Sequence, residues 1–115
     1  MPKESNRRPT YTKKDVVRRV SSATHESMHA SAIWVDRVFT ILREIMMSAD
    51  PELRIEVRDF GVFEIKTTKS KPKARNPKSG EIIFVPSRRK THFKPSKLLK
   101  KFLSEPLQDG LTQRR

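Results

Sequence analysis

Arg75-Asn76-Pro77-Lys78-Ser79-Gly80 is a turn sequence set inside a basic, strand-like run, and the reading of the whole chain hangs on it. The window from Lys66 to Lys101 holds half of the chain's 26 Lys/Arg and only one acid, Glu81, of its 13. Asn76 is a turn former and Pro77 offers a rigid ring without an N–H. Gly80 can take the positive φ that closes such a turn. On the rising side, Lys69, Lys71, Lys73 and Arg75 recur at every second residue, which predicts four cations on one face of a strand. Lys78, Arg88, Arg89 and Lys90 follow on the falling side. Charge concentrated on one extended element predicts an arm that follows a phosphate backbone, with a proline wedge at its end.

Outside this window the chain is nearly neutral, so the net charge of +13 belongs to the arm and the residues just after it. Such a balance restricts the partners to nucleic acid, an anionic membrane surface or acidic protein, with nucleic acid favoured by the clustering. With 115 residues the chain is expected to be one domain with a tail at each end. Roughly 80 residues remain for a compact body, a size at which one core is only marginally stable and dimerisation is a common remedy. There is no Cys, which excludes disulfides and thiolate–metal sites. No apolar stretch is long enough to span a bilayer, and residues 1–10 lack the apolar core of a secretion signal. No membrane partner and no cofactor are expected.

The expected order of elements is helix, helix, strand, strand–arm–strand, helix. Thr12-Lys13-Lys14-Asp15 resembles a capping box. Val16, Val17, Val20 and Ala23 then give a helical face that ends near Ala23. Ser27 caps a longer second helix with the stripe Ala32, Val35, Val38, Phe39, Leu42, Ile45 and Met46. Ile33, Trp34, Ile41 and Met47 widen that stripe, so the helix requires more than one apolar neighbour. Asp50-Pro51 stops it. Leu53, Ile55 and Val57 alternate with charged residues as a strand. Asp59 and Gly61 bracket Phe60 in a tight turn, and Phe63 and Ile65 continue as a second strand. Ile82–Val85 is expected to be the third, interrupted by Pro86. Phe93-Lys94-Pro95-Ser96 leads into a final helix carrying Leu98, Leu99, Phe102 and Leu103, with Pro95 suited to its first turn. The fold class is therefore α+β: two N-terminal helices, a three-stranded antiparallel sheet with a long protruding β-arm (about residues 67–87), and a short C-terminal helix. Residues 1–10 are expected to form a disordered basic tail, 11–103 the binding domain, and 104–115 a mobile tail. Lys3, Arg7, Arg8, Arg114 and Arg115 in the tails are ordinarily solvated and could add unspecific contacts.

One motif points elsewhere. His25-Glu26-Ser27-Met28-His29 matches H-E-x-x-H, the zinc metalloprotease signature. That chemistry needs both histidines on one face of a continuous helix and a third ligand. Here the segment spans the expected break between two helices, so a solvated turn is the reading and no metal site is assigned. No nucleophile, acid/base pair or phosphate-cradling Gly loop is present, so the chain is not expected to be an enzyme.

Three segments together resemble a known family: Asp59-Phe60-Gly61-Val62-Phe63-Glu64, Arg75-Asn76-Pro77-Lys78-Ser79-Gly80-Glu81 and Phe93-Lys94-Pro95. They are similar to the signature of the HU and integration-host-factor family of bacterial histone-like DNA-binding proteins, from about Tyr11 to Leu103. The resemblance implies an intertwined dimer in a cytoplasmic, nucleoid-associated setting, whose two arms embrace the minor groove of double-stranded DNA and bend it. A homodimer is expected, with a heterodimer left open. Pro77 would intercalate, with Arg75 and Asn76 in the groove beside it. Lys69, Lys71, Lys73, Lys78, Arg88, Arg89 and Lys90 would line the arm. Lys94, Lys97 and Lys100 match body positions that contact flanking phosphates. The wedge mechanism is the one general accounts of minor-groove binders give for this family.

The chain departs from the family pattern at three places. Ser96 stands where Gly is usual at the start of the last helix. Asp59 replaces a Gly before Phe60-Gly61. Pro72 lies within the rising arm and cannot donate a ladder bond. The expected function is sequence-tolerant DNA bending. The alternatives are a sequence-specific bender like integration host factor, and an RNA-binding or general polyanion-binding protein.

Overall fold

The computed structural model describes residues 8–108. The element order is α1 (Lys13–Thr24), α2 (Met28–Met47), β1 (Leu53–Val57), β2 (Gly61–Thr67), β3 (Lys71–Arg75), β4 (Ile82–Val85), β5 (Arg89–Pro95) and α3 (Lys97–Leu103). It divides into a helical unit ending at Met47 and a sheet unit beginning at Ser48. Residues 1–7 and 109–115, which include the tail cations Lys3, Arg7, Arg114 and Arg115, lie outside the described residues.

In the helical unit, α1 packs against α2. Asp15 reaches back to the start of α1, where its carboxylate accepts from the Thr12 N–H at 2.8 Å and the Thr12 hydroxyl at 3.0 Å. The hydroxyl thus donates to Asp15, and Arg18 Nη1 donates to the other carboxylate oxygen at 2.7 Å. These donors, the Thr12 N–H foremost, hold Asp15 below the ordinary carboxylate range. Helix α1 ends at His25, whose φ of 62° is left-handed. Ser27 then accepts the Ala30 N–H at 3.0 Å and starts α2. His25 and His29 therefore do not share a continuous helix. Lys13 and Asp36 form an ion pair between α1 and α2.

Within this unit Val17 and Val35 are buried, while most of the α2 stripe stays open. Val16, Val20, Trp34, Val35, Val38 and Phe39 line one apolar groove. Trp34 is 70% exposed.

In the sheet unit the strand order is β1-β2-β5, antiparallel throughout, with β3 and β4 pairing as a separate two-stranded sheet. This corrects the expected place of Ile82–Val85. That run is the descending strand of the arm, and the third strand of the body sheet is Arg89–Pro95. The correction extends to Pro95, which ends that strand and does not stand in the first turn of a helix. Ser96 is the N-cap of α3, its Oγ accepting the Leu99 N–H at 3.3 Å. Serine at this position thus satisfies a helix-terminal donor that glycine would leave open.

Register sorts the sheet into two faces. Ile55 faces Phe63 on β2, which faces Phe93 on β5, and Leu53 faces Ile65. Phe60, Phe63 and Phe93 cluster with ring centroids 4.8–5.9 Å apart. The opposite face pairs Arg54 with Glu64, Glu64 with His92, and Lys66 with Lys90. Two turn positions explain the hairpin between β1 and β2. Asp59 carries the left-handed φ of 64°, a conformation that Asp tolerates better than most residues. Gly61 is needed for space, since a Cβ there would lie 2.5 Å from the Lys94 carbonyl oxygen and 2.6 Å from the Phe93 ring.

Candidate nucleic-acid interface

The arm is rooted by short hydrogen bonds. The Thr67 N–H and hydroxyl both donate to the Glu52 carboxylate, at 2.9 and 3.0 Å. The Thr68 N–H donates to the Arg88 carbonyl at 2.7 Å, and the Arg88 N–H to the Thr68 hydroxyl at 2.8 Å. This pins Arg88 at the arm's neck. Lys69 lies in the neck as well, outside any strand.

Beyond the neck, β3 and β4 form the blade. Lys71 faces Val85, Ala74 faces Ile83 and Arg75 faces Ile82, with a register shift between Lys71 and Ala74. Pro72, which has no N–H for the ladder, falls inside that shift. The expected single row of Lys69, Lys71, Lys73 and Arg75 is therefore not realised. The irregularity lies between Lys71 and Ala74 and takes in Lys73, so the two-residue alternation is broken between Lys71 and Arg75, and Lys69 is not in the strand.

At the tip, the Asn76 side chain works on the backbone. Its Oδ1 accepts the Lys78 N–H at 2.9 Å, an Asx turn. The Asn76 N–H donates to the Glu81 carbonyl and the Gly80 N–H to the Asn76 carbonyl, both at 2.7 Å. Arg75 Nη1 donates to the Gly80 carbonyl at 2.9 Å. Gly80 has φ 79° with open space around it, so its backbone angle, not crowding, selects glycine. These bonds close a turn that leaves Pro77 and Lys78 exposed at the apex.

The body contributes a second group of cations. Lys90 and Lys94 lie on the charged face of β5, and Arg89, one residue along from Lys90, lies on the opposite face. Glu64 sits among them, 8% exposed, with Lys66 Nζ and Lys94 Nζ each 3.5 Å from its carboxylate. Burial pushes the Glu64 carboxyl up, but the two ammonium groups outweigh it and leave the acid below its ordinary value. Lys97 and Lys100 are exposed on α3.

Lys66 escaped the reading of the sequence. Its importance follows from lying opposite Lys90, which becomes visible only when Arg89–Pro95 is recognised as a strand. The local pattern gives little signal for that strand, since cations stand on both of its faces, Arg89 on one and Lys90 and Lys94 on the other. Among the described residues no group of three or more His, Asp or Glu is placed to hold a metal ion, and no helix is long and apolar enough to cross a membrane.

An exposed cationic β-arm rising from a small α+β body is the makeup of an architectural nucleic-acid-binding protein. The family of bacterial DNA-binding proteins matches residues 11–104, and the chain belongs to it. It is 33% identical to integration host factor subunit alpha of Haemophilus influenzae over 91 residues, covering 79% of this chain and 91% of that protein. It is 31% identical over 88 residues to the SPbeta prophage-derived DNA-binding protein HU 2 of Bacillus subtilis, covering 76% of this chain and 91% of the relative. Its fold matches the protein of the Anabaena HU–DNA cocrystal structure with a TM-score of 0.69, at 23% identity, over 84% of this chain and all of that one.

Proposed function

We propose that this chain acts as a homodimer that binds double-stranded DNA through the minor groove, intercalates Pro77 and bends the duplex with little sequence preference. One observation carries the reading. Pro77 stands exposed at the apex of a turn closed by Asn76 and Gly80, at the end of an arm that displays Lys71, Lys73, Arg75 and Lys78. A rigid apolar ring in that position is suited to part a base step, and the cations behind it to neutralise the phosphates beside the step.

Binding is electrostatic first. If ~6–10 phosphates are neutralised, affinity falls by roughly 10³–10⁵ between 50 and 200 mM salt. Selectivity then comes from how cheaply a site bends. Lys94, Lys97 and Lys100 on the body extend the contact to flanking phosphates, and the protein associates with the nucleoid.

The dimer follows from the open apolar face of α2. Trp34, Val38 and Phe39 are exposed there, and a second copy of the same face supplies the cover that the stripe lacks. Pairing two copies also places two arms on one duplex. A sequence-specific bender is the second reading, favoured by the identity to integration host factor subunit alpha.

The test combines light scattering with fluorescence. Size-exclusion chromatography with light scattering, with and without a short duplex, is expected to show two chains alone and two chains per duplex. Energy transfer between dyes on the duplex ends is expected to rise on binding, and affinity for duplex DNA to exceed that for RNA at the same salt. Equal affinity for RNA, or binding without a change in transfer, rejects the reading. Selection from a random oligonucleotide pool separates the two benders, since enrichment of one motif favours the specific one.

A further inference from the structure

The arm carries an apolar strip that its charge pattern hides. Ile82 and Phe84 on β4 are each 63% exposed. Ile82 faces Arg75 across the ladder, so the two share a face. Phe84, two residues along the strand, lies on that face as well. Opposite Phe84 the β3 strand makes its register shift at Pro72 and Lys73. On the other face Ile83 is 39% exposed, and two larger apolar side chains left this open side by side and bordered by cations are the kind of contiguous patch that marks an interaction surface.

We propose that Ile82 and Phe84 form a binding strip that packs against the deoxyribose walls of the DNA groove, with Arg75 reaching the phosphates at its edge. The inference rests on the DNA-binding reading and adds to it a contact that is not electrostatic. The choice of occupant follows from charge. Between Thr68 and Arg88 the arm holds Lys69, Lys71, Lys73, Arg75, Lys78 and Arg88 against the single acid Glu81. A second arm laid on the strip would bring the same cations and be repelled. A nucleic-acid groove offers what the strip and its border require together, apolar sugar edges flanked by anionic phosphates. The strip also explains why this strand departs from a purely polar arm: cations alone would hold the backbone without seating the blade in the groove.

Salt titration separates the two contributions. The slope of log affinity against log salt counts phosphates neutralised, while the value extrapolated to 1 M salt reports what remains without counterion release. Phe84→Ser is expected to lower the extrapolated affinity for a duplex by about tenfold or more, in keeping with the loss of one buried aromatic side chain, and to leave the slope unchanged. Lys73→Ala is expected to do the reverse, lowering the slope by about one. Phe84→Leu keeps an apolar face and should retain most of the extrapolated affinity, and an unchanged thermal midpoint for both Phe84 variants would confirm that the body is intact. A wild-type intercept for Phe84→Ser, or a loss confined to the slope, overturns the proposal. So does concentration-dependent self-association of the DNA-free protein that Phe84→Ser abolishes, since the strip would then be a docking surface for another copy. Failure of the wild type to bind duplex DNA would instead strike the reading on which the strip depends.

Discussion

Lys66 and Lys90 stand directly opposite each other on β2 and β5, two ammonium side chains paired across the ladder. Like charges in that position oppose folding. Glu64 offsets the repulsion on one side, with Lys66 3.5 Å from its carboxylate, but Lys94 draws on the same acid. The pair makes physical sense if a polyanion takes the place of the missing countercharge. Stability is then held below its attainable value so that the face stays attractive to phosphate.

Lys90→Ala should therefore act in opposite directions on stability and binding. Removing one member of the pair is expected to stabilise the free protein by about 0.2–1 kcal/mol. The same change should weaken binding to every duplex and lower the salt slope by about one. Thermal unfolding without DNA, set beside a salt titration with it, measures both. A variant that is less stable than the wild type would show that Lys90 has a structural partner.

Gly61 and Gly80 are both required, for different reasons, and alanine distinguishes them. At Gly61 the new methyl would meet the Lys94 carbonyl and the Phe93 ring. Crowding of this kind costs about 1–3 kcal/mol, and it falls on the body sheet. At Gly80 nothing lies within 4 Å, but φ is 79°, which costs a side-chain-bearing residue about 1–2 kcal/mol. That cost falls on the exposed tip alone. Urea unfolding should thus report a lower midpoint for Gly61→Ala and little change for Gly80→Ala. DNA binding should suffer in the second through a misplaced Pro77, with partial rescue by Gly80→Asn, because Asn tolerates left-handed angles. Equal unfolding midpoints for the two alanine variants would refute the distinction.

These residues also show what the sequence could and could not reveal. The tip was legible because Asn76, Pro77 and Gly80 act locally, each through its own backbone preference. The helices were legible for the same kind of reason: Asp15 and Ser27 sit within three residues of the groups they cap. The body sheet was less so. Arg89–Pro95 has cations at Arg89, Lys90 and Lys94 and ends in proline, so its composition resembles the arm more than a strand. Its identity comes from pairing with Gly61–Thr67, a long-range relation that no local pattern encodes. The even row of arm cations failed because period-two counting assumes unbroken pairing, and Pro72 breaks it. Trp34, expected in the core or at a dimer interface, is 70% exposed within the described residues and so is not core.

Acid should loosen the protein in a defined direction. Asp15, Asp36, Glu52 and Glu64 are all held below the ordinary carboxylate range. For Glu52 the largest cause is the Thr67 N–H, followed by the Thr67 hydroxyl. A carboxyl with a lower pKa in the folded state contributes stability that is present above its unfolded pKa. The contribution disappears as pH falls through about 4 and on through the folded value. Stability should accordingly be flat from neutral pH to about 5 and decline below about 4. Glu52→Gln is expected to be less stable than the wild type at neutral pH and to converge with it in acid. Urea titrations at several pH values check this, and a deficit that does not vary with pH would show that the charge of Glu52 is not its source.

Pro77→Ala isolates the wedge from the grip. On the proposed reading affinity rests mainly on the cations, none of which this change removes, and the tip keeps the Asx turn of Asn76 and the left-handed Gly80. Affinity for an intact duplex is therefore expected to fall only modestly. Bending should fall much further, because alanine presents a single methyl where proline presents a rigid ring able to part stacked bases, a step that costs a few kcal/mol. A duplex already kinked by a nick or mismatch has met part of that cost, so it should lose the least affinity when Pro77 is replaced. The measurements are energy transfer between dyes on the duplex ends and affinity for matched intact and nicked duplexes at one salt concentration. If Pro77→Ala bends DNA as the wild type does, the kink originates in the wrapping of DNA onto Lys94, Lys97 and Lys100, and the arm serves as a clamp and not as a wedge.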